Sequence, residues 1–190
     1  MYKQNGKVTS VTVDMGRPEF ESALIGTSLK EVKVPESELN SANKALLPAK
    51  AVVGQKLDVD GKTYDVTCVG VGNPHCVVFS KFVDKEPVAK IGPLFENNKA
   101  FPGRINTEFV RVVGQNELKM RTWERGNGET LACGTGACAA AIASVLNGFS
   151  PINQDITVKV RGGTLVVKYT GDSVYLTGNT SLCYDGEVEI

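Results

Sequence analysis

The chain has a single histidine and a single tryptophan among 190 residues, and its 21 basic residues are matched by 21 acidic ones. Each scarcity excludes a class of function. Closely spaced Cys or His pairs are what a structural zinc site needs, and neither C-x-x-C nor H-x-x-x-H occurs. His75 and Cys76 are adjacent, so on a strand they point to opposite faces and cannot share a metal. Arginine and lysine are scattered, which leaves no basic stripe for nucleic acid. No apolar run approaches a membrane span, and MYKQNGKVTSV lacks the charged-then-apolar pattern of a secretory signal, so a cytoplasmic protein without membrane contact is expected. The cysteines, at 68, 76, 133, 138 and 183, are odd in number and widely spaced. Reduced thiols are expected rather than a disulfide scaffold.

What is present is a chain of many short strands with two helices. Val8 to Asp14 alternates as a strand and ends in Met15-Gly-Arg-Pro18. Leu57 to Val59 and Thr63 to Val69 flank Asp60-Gly61, a strong hairpin signal, and Cys76 to Phe79 reads as a short buried strand. Pro87 to Asn97 has helical spacing through Val88, Ile91, Leu94 and Phe95 and breaks at Phe101-Pro-Gly103. Ile105 to Val113 and Leu118 to Trp123 are further strands. Thr135 to Leu146 is alanine-rich and stops at Asn147-Gly148, and Ile156 to Val160 and Thr164 to Tyr169 flank Gly162-Gly163. Strands near Val174 and Val188 close the chain, and Pro35 to Lys50 reads as a linker or long loop. A helix that is mostly alanine on all sides belongs inside something. The whole predicts an α+β fold, a curved, barrel-like mixed sheet wrapped around a central helix.

The chemistry concentrates in Trp123-Glu-Arg-Gly-Asn-Gly-Glu-Thr-Leu-Ala-Cys-Gly-Thr-Gly-Ala-Cys138. Cys133 stands between a glycine-rich loop and a helix, where unpaired N–H groups and the positive end of the helix dipole favour thiolate; this position predicts a pKa below the ordinary ~8.5 and the most reactive of the five thiols. Gly134 to Ala139 fits G-x-G-x-x-A, but a dinucleotide site needs a buried strand before it and an acidic residue after the next strand. Neither is there. A hydrolase-type cysteine nucleophile needs a histidine base, for which His75 in Gly72-Asn-Pro-His-Cys-Val77 is the candidate. A third reading makes Cys133 an acid/base: a thiolate in a dry pocket removes the α-proton of an amino acid, while helix N–H groups stabilise the charge developing on the carboxylate. Inversion then needs a second acid on the opposite face.

MGRPEF, GNPHCVVF, FPGRINTEFV, WERGNGETLACGTGACAAA and YDGEVEI, in this order, resemble the diaminopimelate epimerase family over essentially the whole chain. The resemblance implies a cofactor-independent, two-thiol interconversion of LL- and meso-diaminopimelate in lysine and cell-wall precursor biosynthesis. It makes Cys133 the proton acceptor, Gly134 and Thr135 the amides that hold the reacting carboxylate, and Asn73, Asn106 and Arg125 the clasp on the distal end. Glu124 is implied to contact the substrate ammonium and, with His75, to tune the thiols. The family's other thiol lies in an N-terminal C-G-N-G segment that this sequence does not contain. By that template residues 34–178 form the second of two similar domains, residues 1–33 are strands of the first, and 179–190 a final strand returning to it. The implied partners are diaminopimelate, a missing N-terminal domain or companion chain, and a second copy in a homodimer when full length. A proline racemase-like or phenazine-pathway-type isomerase, or an inactive binding module, are the alternatives, and Arg125 argues against proline, which has no distal carboxylate.

Overall fold

The computed structural model describes residues 1–189. In chain order the elements are β1 (Tyr2–Gln4), β2 (Lys7–Asp14), α1 (Ser22–Ile25), β3 (Val32–Lys33), β4 (Lys50–Val59), β5 (Lys62–Gly70), β6 (Pro74–Phe79), α2 (Val88–Glu96), β7 (Asn106–Gly114), β8 (Glu117–Glu124), β9 (Gly128–Thr130), α3 (Gly134–Leu146), β10 (Asp155–Val160), β11 (Gly163–Tyr169) and β12 (Val174–Asn179). Twelve strands join in one mixed sheet in the order β1-β2-β12-β11-β10-β8-β7-β6-β5-β4-β3, with β9 added beside β8. The fold is α+β, as expected, but the sheet is open, with β1 and β3 at its ends rather than paired into a closed barrel.

Two pairs in the sheet are parallel, β6 with β7 and β8 with β10, and a helix crosses over in each. Because β8 runs antiparallel to β7 while both crossovers step the same way along the sheet, a shared right-handed crossover puts α2 and α3 on opposite faces. The residues agree. Val77, Val110, Leu118 and Met120 pack around α3, whereas Cys76, Val78, Phe109 and the rings of Phe95 and Phe101 pack around α2.

α3 is wrapped most fully. Every residue from Gly136 to Leu146 is buried, and β5, β6, β7, β8, β10, β11 and β12 all reach it, so the sheet must curve around its axis. Alanine makes that possible, because strands can approach a helix that carries methyl groups where longer side chains would hold them off.

Local chemistry sets the turns. Asp60 and Gly61 have φ of 51° and 75°, the pair of positive values that a two-residue type I′ hairpin requires. The expected loop from Pro35 to Lys50 contains 3-10 turns over Glu38–Leu46, pinned where buried Asn40 donates to Val145 O and Ser150 O and accepts from Ile152 N. Its Nδ2 and Oδ1 are thereby both used. The strand expected near Val188 is not formed in residues 180–189, and its last position, Ile190, lies outside the described residues. Leu182, Tyr184 and Val188 are 80%, 84% and 83% exposed, so among the described residues nothing apolar covers them and no neighbour supplies a ladder. Among the described residues no helix is long and apolar enough to cross a membrane.

α2 approaches β8 closely because Gly92 has no side chain: a Cβ there would stand 2.4 Å from the Trp123 ring. Gly92→Ala is therefore expected to destabilise the fold by about 1–3 kcal/mol through overpacking, despite the gain in helix propensity. A urea denaturation midpoint equal to or above that of the wild type would contradict this.

Candidate active site

The site is built where β8 hands the chain to α3. Glu124 ends β8, a turn closed by Asn127 N–H donating to Glu124 O carries Arg125 and Gly126, and Cys133 caps α3. Cys133 has extended backbone, φ −136° and ψ 114°, and its Sγ accepts from Gly136 N at 3.3 Å, where helices ordinarily place a Ser, Asp or Asn oxygen. Thr135 Oγ1 lies 3.5 Å from the same sulfur. The first intrahelical bond runs from Ala137 N–H to Cys133 O, so the amides of Gly134 and Thr135 precede it and have no partner within the helix. Those two N–H groups, beside a sulfur, form a place for an anion.

Strand alternation brings polar side chains to this end of α3. His75 on β6 and Glu108 on β7 are both fully buried, and His75 Nδ1 lies 2.8 Å from Glu108 Oε1. His75 Nε2 lies 2.8 Å from the side-chain amide of Asn73, so the ring bridges Glu108 and Asn73. Glu108 stands opposite Thr122 on β8, which donates to Oε1 at 3.3 Å, while Oε2 is buried without a partner. A Cβ at Gly136 would lie 2.6 Å from Glu108 Oε1 and 3.2 Å from Cys133 Sγ, so the carboxylate and the thiol flank one glycine.

This arrangement overturns the expected charge state of Cys133. Burial, and then the negative charge of Glu108, push its thiol up to about 11, against smaller opposing contributions from the Thr135 and Gly136 hydrogen bonds. The helix start does favour thiolate, but desolvation of the charged form outweighs it. Glu124, whose Oε1 accepts from Thr130 Oγ1, adds to the upward push. Cys138, one turn further into the core, is pushed up to about 12.

The remaining residues singled out in the sequence gather at the same end. Asn106 donates to Pro74 O at 2.9 Å and accepts from Arg125 N at 3.0 Å, so its amide staples the start of β6 to the turn after β8. The Arg125 guanidinium is exposed and donates to Gly103 O at 2.9 Å through one nitrogen. Two buried carboxylates escaped the sequence reading: Glu108, and Glu96 at the end of α2. The available signal for Glu108 was a charge at a core-facing position of the strand Ile105 to Val113. A cavity of about 890 Å³ lies away from all of these, over the 33–50 segment, lined by Val34, Pro35, Leu47 and Pro48 among others. Among the described residues no cluster of three or more His, Cys, Asp or Glu is placed to hold a metal.

The fold is shared with solved structures of low sequence identity. A hydroxyproline epimerase from Agrobacterium vitis superposes with a TM-score of 0.59, at 12% identity, over 93% of this chain and 51% of that one. Sequence shows the family. A family profile described as diaminopimelate epimerase matches residues 67–183. The diaminopimelate epimerase of Leptospira biflexa is 43% identical over 98% of this chain and 60% of its own length, and that of Acetivibrio thermocellus 44% identical over 98% and 60%. The chain belongs to the diaminopimelate epimerase family, and it spans about 60% of the length of these curated relatives.

With Cys133 buried and only Cys183 exposed, an alkylating reagent near neutral pH should label Cys183 first, reversing the order expected from sequence. Folding stability should fall at alkaline pH for the same reason. The Cys133 thiol rises from 9.0 to about 11 on folding, so its contribution is intact below pH 9 and is lost as the unfolded chain ionises first, between about 9 and 11. Cys133→Ala should flatten the decline in that window. Preferential labelling of Cys133 at pH 7, or an unchanged alkaline slope in the variant, would contradict the assignment.

Proposed function

We propose that this chain supplies one of the two acid/base thiols of a cofactor-independent epimerase acting on diaminopimelate. The observation that carries the reading is Cys133 Sγ seated at the N-terminus of a wholly buried helix, beside the open amides of Gly134 and Thr135. The substrate α-carboxylate binds those amides. The Cys133 thiolate takes the α-proton and becomes thiol, and the electron pair left on carbon spreads into the carboxylate, where the amides and the helix dipole stabilise it. A proton returned from the opposite face completes inversion.

A thiol pushed up to about 11 is a strong base once ionised but rests protonated. The reading therefore requires a cation beside it during turnover, and the substrate ammonium is suited to the place between Glu108 and Glu124. His75 holds Asn73 by one end of its amide, which leaves the other end to bond substrate. Asn106 fixes the backbone of Arg125, whose planar fork pairs with the distal carboxylate.

The opposite-face acid is assigned to a second thiol on an N-terminal domain or companion chain, since the sequence holds no C-G-N-G. In this division residues 34–178 are the thiol-bearing domain, while 1–33 and 179–190 belong with the companion. The exposed Leu182, Tyr184 and Val188 support that place for the last segment. Five unpaired cysteines support a cytoplasmic setting, and a homodimer of the assembled enzyme rests on the family resemblance.

The test is an assay of the purified chain for solvent deuterium entering the α-carbon of diaminopimelate and for LL-to-meso conversion, with and without the N-terminal segment of the Leptospira biflexa relative. Conversion is expected only with that segment, and Cys133→Ala should abolish it. Conversion by the chain alone would remove the two-thiol reading; none with the segment, at confirmed assembly, would favour a binding module. In the assembled enzyme, Arg125→Lys should weaken diaminopimelate binding about tenfold or more, because a point charge loses one of two charge-assisted hydrogen bonds worth ~1.5–3 kcal/mol. Unchanged affinity would remove Arg125 from the site.

A further inference from the structure

Glu96, the last residue of α2, lies on the face of the sheet away from Cys133, yet its carboxylate reaches into the turn that presents Glu124 and Arg125. Its side chain is 7% exposed and is used at both oxygens. Oε2 accepts from Trp123 Nε1 at 2.6 Å, and Oε1 accepts from Gly126 N at 3.0 Å and from the Arg104 guanidinium at 2.9 Å. Trp123 and Gly126 bracket Glu124 and Arg125 in sequence, so one carboxylate grips the turn on both sides of the two residues. Arg104 belongs to the loop whose carbonyls, at Gly103 and Arg104, accept from the Arg125 side chain.

We propose that Glu96 is the positioning residue of this site: by tying Trp123, Gly126 and Arg104 to the end of α2, it sets where Arg125 stands for the distal carboxylate of the substrate. The inference rests on the reading of Arg125 given under Proposed function. Its physical basis is that all three partners are donors. Only a group with two acceptor oxygens serves them together, and two of them share one oxygen. The turn needs such a hold. Gly126 has φ 82°, and the neighbouring Gly128 has φ 89°, so the segment is built from residues with little conformational preference of their own.

Glu96→Gln is the informative change, because it keeps the shape and removes one acceptor. The amide oxygen can serve the indole or the pair at Gly126 and Arg104, and its NH₂ then faces the other donors. In the 190-residue chain, hydrogen exchange at the Gly126 amide is expected to speed up at least tenfold while the amides of α3 keep their protection. The emission of Trp123, the only tryptophan, should shift as its Nε1 partner changes. In the chain assembled with the N-terminal segment of the Leptospira biflexa relative, KM for diaminopimelate should rise about fivefold or more with kcat within twofold. A change that merely loosened the fold would lower both kcat and stability.

Arg104→Met removes one donor and keeps Glu96, and a smaller rise in KM is expected, so the proposal remains open to test if Glu96→Gln does not fold. A folded Glu96→Gln protein with faster Gly126 exchange and an unchanged KM would overturn the positioning role. Unchanged Gly126 exchange would overturn the tie itself. If the wild-type assembly does not turn over diaminopimelate, the functional reading fails separately, while exchange and emission still decide whether Glu96 holds the turn.

Discussion

Enclosure of α3 by the sheet is the constraint on which the rest of the molecule depends. A helix buried on every side can place no polar side chain along its length without a partner, and it must be narrow enough for strands to meet around it. Alanine satisfies both conditions, and the seven strands that reach α3 curve in consequence. The unpaired polar groups of such a helix are left at its ends. At the N-terminus the amides of Gly134 and Thr135 stay open, and the Cys133 sulfur takes the Gly136 N–H. The chemistry of the site is thus the residue of a packing solution.

Strand alternation sorts the polar groups by face. On β8, Thr122 and Glu124 turn toward α3 with Cys133, while Arg121 and Trp123 turn toward α2 and its flanking segment. The two buried carboxylates are divided the same way: Glu108 works with His75 beside the thiol, and Glu96 works from behind the sheet on the turn that carries Arg125. Glycine admits both. Gly136 leaves room for Glu108 and Cys133 against one turn of helix, and Gly92 leaves room for the Trp123 ring against α2.

Much of this was legible in the chain. The hairpin at Asp60-Gly61, the helices α2 and α3 and the inward placement of α3 follow from turn residues and from the alanine content, which act locally. So does the position of Cys133 at a helix start. The short strands β1, β3 and β9 were not legible, since two or three residues carry no periodicity, and they form because an existing edge offers them a ladder. The strand expected near Val188 shows the converse: apolar alternation without a neighbour is not enough.

The sequence by itself determined which residues were available: one thiol at a helix start, one histidine, one arginine in a glycine-rich turn. The tertiary structure decided what charge that thiol carries. Helix position alone argues for thiolate, but whether a sulfur is ionised depends on the water removed from it and on the charges set beside it. The lost water comes from burial by the whole fold, and the charge from β7, 25 positions earlier in the chain, where the curved sheet sets Glu108 against Gly136. Desolvation and through-space charge are properties of the packed molecule, and no local pattern of residues contains them.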